Sequence, residues 1–106
     1  MDPAVDNAVM ARTALVIPAY NHGRQLGSVL LKARELGLPI YVVDDGSTDE
    51  TAVVARGFDD VVLLSHETNQ GKGAALLTGF AAAATRADWA VTIDADGQHH
   101  PPDALR

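Results

Sequence analysis

The sequence predicts an α/β domain built on a parallel sheet, and three observations predict it. Four short apolar runs, several of them rich in β-branched residues, alternate with stretches of helical periodicity. The runs are near-continuously apolar, as strands covered on both faces are, rather than alternating. Polar clusters follow the C-terminal ends of the runs, and helical crossovers bring all such ends of a parallel sheet to one edge. In open α/β sheets that edge is where ligands bind.

Residues 1–11 are acidic, carry no basic side chain and have no long apolar core, so they read as a loose N-terminal tail and not as a signal peptide. Residues 12–106 form the domain. Thr13 to Ile17 is the first strand, closed by Pro18. Pro18-Ala19-Tyr20-Asn21-His22-Gly23 is turn chemistry. The helix after it carries Leu26, Val29, Leu30, Ala33 and Leu36 at intervals of three and four, and Gly37 is placed to stop it. Ile40 to Val43 is the second strand, opened by Pro39 and running into Asp44-Asp45-Gly46-Ser47-Thr48-Asp49. Ser47 or Thr48 is expected to cap a second helix bearing Ala52, Val53 and Ala55, with Asp49 and Glu50 near its positive end, and the carboxylates of Asp44 and Asp49 also read as caps for that helix rather than as ligand groups. Val61 to Leu64 is the third strand, and an alanine-rich third helix is expected from about Ala74 to Arg86. Asp88 to Ile93 is the fourth strand, leading into Asp94-Ala95-Asp96-Gly97-Gln98-His99-His100-Pro101. Pro101-Pro102-Asp103 is placed to begin a further helix.

Composition narrows the function classes. The 106 residues suffice for one domain with a core, at 47% hydrophobic and 21% charged. A formal net charge of −6 without a Lys/Arg cluster argues against a nucleic-acid surface. The absence of Cys excludes disulfides and thiolate metal sites. No apolar run is long enough to cross a bilayer.

The chemistry lies in the strand-end clusters. Side chains at i and i+2 of an extended chain point the same way, so Asp94 and Asp96 can offer oxygens to one point. Two such carboxylates repel each other, and a hard cation resolves that; a plain polar turn is the competing reading. Gly97 falls too early for an EF-hand loop, and no bidentate Glu follows. Adjacent Asp44 and Asp45 leave their strand on opposite sides, so one can face a ligand while the other supports the turn. Tyr20 either stacks on a base or covers the sheet edge. Asn69-Gln70-Gly71-Lys72-Gly73 fails the P-loop pattern, lacking its first glycine and its Ser/Thr. Lys72 there either neutralises phosphate or is a solvated helix-start charge.

Val16-Ile17-Pro18-Ala19-Tyr20-Asn21, Val42 to Asp49, Asn69 to Gly73 and Asp94 to Pro101, in this order and spacing, resemble the family 2 glycosyltransferases. The resemblance implies the Rossmann-like, GT-A nucleotide-diphospho-sugar transferase fold, present in part as about four parallel strands with flanking helices. Asp94 to Pro101 is most similar to the dolichyl- or polyprenyl-phosphate sugar transferase branch, although that branch usually has Glu where this chain has His22. By this resemblance Pro18, Ala19, Tyr20 and Asn21 line the nucleoside pocket, Asp45 with Val43 beside it contacts the base, and Asp44 is mainly structural. Gly71 and Lys72 lie near ribose or phosphate. Asp94, Ala95 and Asp96 form the DxD motif, whose carboxylates hold Mg²⁺ or Mn²⁺ on the diphosphate with Gln98 as a third ligand. The implied partners are a nucleoside-diphosphate sugar and a lipid-phosphate or saccharide acceptor. The implied location is cytoplasmic and peripheral to the inner face of the membrane.

In that family the acceptor site and any catalytic base follow the DxD strand, where this chain has almost nothing. The expectation is therefore a donor-binding half with an exposed edge and apolar surface, leading to association with a partner, dimerisation through that surface, or little or no activity alone. A non-catalytic nucleotide-binding or interaction module is the alternative. A phosphoacceptor receiver domain is disfavoured because its acidic pair follows the first strand. A sugar-nucleotide pyrophosphorylase is disfavoured because no glycine-rich loop with Arg follows that strand.

Overall fold

The computed structural model describes residues 12–97; the tail of residues 1–11 and the segment from Gln98 onward, including His99, His100 and the expected C-terminal helix, lie outside the described residues. The chain runs β1 (Thr13–Ala19), α1 (Gly23–Arg34), β2 (Ile40–Asp45), α2 (Thr51–Arg56), β3 (Val61–His66), α3 (Lys72–Ala83) and β4 (Trp89–Thr92). The strands form one parallel sheet in the order β3-β2-β1-β4.

This order explains where the helices lie. The steps from β1 to β2 to β3 move one way across the sheet, and the step from β3 to β4 returns to the far side of β1. Right-handed crossovers then put α1 and α2 on one face and α3 on the other. The core divides accordingly. Leu15, Ile17, Ile40 and Val42 pack with Leu26, Leu30 and Ala33 of α1 and Ala55 of α2, while Ala14, Val16 and Tyr41 meet Ala83, Leu76 and Phe80 of α3. β1 and β2 are buried at every position because both are central and covered on both faces. Gly79 brings α3 close to the sheet, since a Cβ there would collide with Val16.

Several boundaries differ from those expected, each for a local reason. β1 continues through Pro18 to Ala19. Val16 O accepts the Ile93 N–H at 3.2 Å, so residues at even positions of β1 face β4, whose ladder ends at Thr92 opposite Val16. The donor that Pro18 lacks would thus have pointed to the side where no ladder continues, and the strand tolerates the proline. α3 starts earlier than expected, at Lys72, because Gly71, in an extended positive-φ conformation (φ 101°, ψ 160°) open to glycine, ends the loop and opens the helix. β3 runs on to His66, paired with Asp45. In α2 the inward positions are Thr51 and Ala55, while Val53 is 65% exposed. α1 ends at Arg34, before the expected Leu36, and Gly37, with φ 69°, closes the turn that follows it. At the outer edge of β4, Trp89 is 63% exposed.

Candidate functional site

The switch in strand order falls between β1 and β4, and the helix that leaves β1 and the helix that leads into β4 lie on opposite faces of the sheet. A crevice at the strands' C-terminal ends follows from that divergence. A cleft of about 430 Å³ occupies it. Pro18, Ala19, Tyr20 and His22 form the β1 side, and Asp94, Ala95 and Asp96 the β4 side. Asp45 of β2, Asn69 of the loop after β3, and Lys72 and Ala75 of α3 close it.

The first two loops are stitched together by side chains. Asn21 adopts φ 53°, a left-handed conformation that Asn tolerates better than most residues. Its N–H donates to Ser47 Oγ at 2.9 Å, and its Oδ1 accepts from the Thr48 N–H at 2.9 Å. Ser47 and Thr48, two of the expected helix caps, are therefore spent on Asn21, and Asp49, also expected to cap, takes the helix donors. Asp49 Oδ2 accepts the Gly23 N–H at 3.0 Å at the start of α1, and Oδ1 accepts the Thr51 N–H at 2.9 Å and the Thr51 hydroxyl at the start of α2. One carboxylate thus satisfies orphan donors of two helices. The hydrogen bond from the Thr51 hydroxyl, joined by those from the Thr51 and Gly23 N–H groups, outweighs desolvation and holds the Asp49 carboxyl below its ordinary pKa.

The Asp44-Asp45 pair divides its work. Asp44 Oδ1 accepts the Ser47 N–H at 3.0 Å and supports the turn. Gly46 has φ 74°, and a Cβ there would meet the backbone of Thr68 and Asn69, with Thr68 C at 2.5 Å. Only glycine lets the two loops touch. Asp45, 2% exposed, holds the other loop. Its Oδ1 accepts the Gln70 N–H at 2.9 Å and meets His66 Nδ1 at 2.7 Å. Its Oδ2 accepts the Gly71 N–H at 2.8 Å and Asn69 Nδ2 at 3.2 Å. Burial pushes this carboxyl up, but the bonds from His66, Gln70 and Gly71, with the attraction of the His66 ring when it is protonated, hold it below its ordinary value.

Opposite, Lys72 Nζ pairs with Asp94 Oδ1 at 2.9 Å, with the lysine side chain 64% exposed and the aspartate 26%. A cation in the first turn of a helix opposes the helix dipole, and Asp94 offsets that. The cleft therefore combines an ammonium and a helix N-terminus with the carboxylates of Asp94 and Asp96 on its far wall. Among the described residues no three Asp, Glu, His or Cys side chains converge on one metal point.

Of the residues expected at the site, Pro18, Ala19, Tyr20, Asp45, Lys72, Asp94, Ala95 and Asp96 share the cleft. Asn21, Val43 and Gly71 stand behind it: Asn21 ties loops, Val43 is wholly buried, and Gly71 donates to Asp45. Gln98 lies outside the described residues. His22, Asn69 and Ala75 line the cleft without having been singled out as binding residues. Asn69 carried the better signal, standing two residues before a glycine at a helix start; Ala75 carried none, being one alanine of a run.

Comparison with known proteins agrees with this architecture. The sequence profile of Glycosyl transferase family 2 matches residues 14–106. The chain is 36% identical to the UDP-N-acetylglucosamine–dolichyl-phosphate N-acetylglucosaminyltransferase of Methanococcus voltae, over 87% of this chain and 44% of that protein. It is 35% identical to the polyprenol monophosphomannose synthase of Mycolicibacterium smegmatis, over 99% of this chain and 42% of that protein. An uncharacterised protein of Methanocaldococcus jannaschii is 41% identical over 84% of this chain and 37% of its own length. The chain thus spans about two-fifths of these curated relatives. Among solved structures, S. aureus TarS 1-349 superposes with a TM-score of 0.63 at 23% identity, over 80% of this chain and 27% of that one, which supports the fold. With that profile spanning almost all of the described domain, the chain belongs to glycosyl transferase family 2 and carries part of its Rossmann-like GT-A fold.

Proposed function

We propose that this chain forms the donor-binding part of a glycosyltransferase that takes its sugar from a nucleoside diphosphate and passes it to a lipid phosphate of the polyprenyl type. The observation that carries the reading is the meeting of Tyr20, Lys72, Asp94 and Asp96 around one cleft at the strand-order switch. Pro18, Ala19 and Tyr20 form the nucleoside end, where the ring of Tyr20, 43% exposed, offers a stacking face. Lys72 and the start of α3 suit the phosphates. The names of the relatives support the polyprenyl-type acceptor.

The donor set fits a hard divalent ion, Mg²⁺ or Mn²⁺. Such ions take oxygen ligands, and Mg²⁺ is commonly held by one or two carboxylates plus substrate phosphates, so two aspartates without a third protein ligand suffice. Asp94 and Asp96 would hold it, and Gln98 is the third oxygen donor in this proposal. When bound, the ion supplies charge neutralisation on the diphosphate leaving group. In the transfer the bond from the anomeric carbon to the diphosphate oxygen breaks, its electron pair leaves with the diphosphate, and an acceptor oxygen forms the new bond to that carbon. Lys72 is placed to move from Asp94 to the phosphates as the ligand enters.

A peripheral position at a membrane, where a lipid-phosphate acceptor resides, belongs to the same proposal; no described helix is long and apolar enough to cross a bilayer. Self-association through the outer β4 edge also belongs to it. Calorimetric titration with UDP and GDP, with and without Mn²⁺, tests the donor site on the wild type and on Asp96→Ala. Metal-dependent binding lost in the variant is expected, and equal binding by both proteins refutes the metal site.

A further inference from the structure

His66 is a largely buried polar side chain to which the donor-site reading gives no task. It stands at the end of β3 with its side chain 9% exposed. Its ring bridges two elements: Nδ1 lies 2.7 Å from Asp45 Oδ1 on β2, and Nε2 lies 2.8 Å from Thr78 Oγ1 on α3. An ionised carboxylate only accepts, so Nδ1 carries the proton and donates to Asp45, and in the neutral ring Nε2 accepts from the Thr78 hydroxyl.

A carboxylate offers about four acceptor positions, and Asp45 has all of them engaged, by Gln70, His66, Gly71 and Asn69. Three of the bonds are 2.9 Å or shorter, while Asn69 is held at 3.2 Å and shares its amide with Asp45 O at 3.3 Å. The carboxylate is therefore a rivet through the loop that ends at Lys72, and Asn69, which lines the cleft, is its exchangeable donor. The rivet keeps its direction only if Asp45 itself is fixed. Of its four partners, three belong to the loop being held; His66 alone belongs to another strand and reaches the helix behind.

We infer that His66 is a positioning residue for the donor nucleotide. Its imidazole clamps Asp45 against α3, and so sets the loop from Asn69 to Gly71 and the start of α3, with Asn69 and Lys72 turned to the cleft. The inference rests on the reading of that cleft as a nucleoside-diphosphate site. A histidine that merely filled space would affect stability alone.

The test compares His66→Ala, His66→Asn and Thr78→Val with the wild type. Asn returns a donor near the Nδ1 position without reaching Thr78. Three readouts are taken: thermal midpoint by circular dichroism, amide exchange at Gln70 and Gly71 by NMR, and calorimetric affinity for UDP and GDP with Mn²⁺ well below the midpoint. In His66→Ala the two loop amides are expected to exchange at least about tenfold faster and affinity to fall about tenfold, the effect of one hydrogen bond to a charged group. His66→Asn restores most of both, and Thr78→Val falls between. A lower midpoint in His66→Ala with unchanged loop exchange and affinity overturns the inference. Should His66→Ala not fold, unchanged loop exchange and affinity in Thr78→Val overturns it instead. If the loop loosens but the wild type binds neither nucleotide, the donor-site reading fails and the role toward a nucleotide falls with it.

Discussion

Replacing Asp45 by Asn changes almost no volume and removes one acceptor atom, so its cost can be worked from the hydrogen bonds. With the new amide on the Oδ1 side, it would face the Gln70 N–H, a donor, and His66 Nδ1, which accepts only if the ring moves its proton to Nε2 and donates to Thr78. On the Oδ2 side it faces the Gly71 N–H and the Asn69 amide, and Asn69 can turn to accept, losing only its 3.3 Å bond to Asp45 O. The second arrangement costs less. It leaves the Gly71 N–H without its 2.8 Å acceptor and turns the remaining bonds from charge-assisted to neutral. A hydrogen bond to a charged group contributes about 1.5–3 kcal/mol and an orphaned buried donor costs about 1–3, so the total is about 2.5–6 kcal/mol. Urea unfolding followed by circular dichroism measures it. The same titration in acid adds a second check. The folded Asp45 carboxyl lies below its ordinary pKa, so its stabilisation is present above about pH 4 and is lost as pH falls through the folded value. The stability gap between wild type and Asp45→Asn therefore narrows in acid. A gap under about 0.5 kcal/mol at neutral pH, the range of an inert surface change, would refute the rivet.

Gly46→Ala forces a side chain onto φ 74° and into the backbone of Thr68 and Asn69, and should cost about 2–4 kcal/mol from αL strain plus overpacking, measured by the same unfolding curves. Asp49→Ala removes the acceptor shared by the starts of α1 and α2, so the thermal midpoint should fall, with Asp49→Asn falling less. Trp89→Lys charges the exposed β4 edge and should lower self-association in sedimentation velocity at raised protein concentration; an unchanged profile from an associating wild type removes that edge as the contact.

Much of the architecture was legible because burial on both faces leaves a simple trace. The runs from Thr13 and Ile40 became the two central strands, and the spacing of Leu26, Val29, Leu30 and Ala33 became the buried face of α1. The cleft was legible in outline for a topological reason: strand ends of a parallel sheet share one edge, so clusters distant in sequence meet there. What stayed hidden depends on long-range pairing. Nothing in Ser47-Thr48-Asp49 says that Asn21 takes the first two and leaves Asp49 to serve two helices. The saturation of Asp45 requires the partners His66 and Asn69 to Gly71, more than twenty residues away, and no local periodicity encodes them. Pro18 marked a strand end by its missing donor, yet the end of β4 opposite Val16 removed the need for that donor.

The central claim is that Asp94 and Asp96 bring a divalent ion and a nucleoside diphosphate to the crevice between β1 and β4. NMR of the protein with UDP or GDP and substoichiometric Mn²⁺ tests it directly, because the paramagnetic ion broadens resonances near where it sits. The prediction is broadening centred on Ala95 and Asp96, reaching Tyr20 and Lys72, absent without nucleotide at the same metal level, and weak at Arg34 and Asp60, which pair away from the cleft. Broadening centred on Asp59 and Asp60, or spread evenly over the acidic surface, would contradict it.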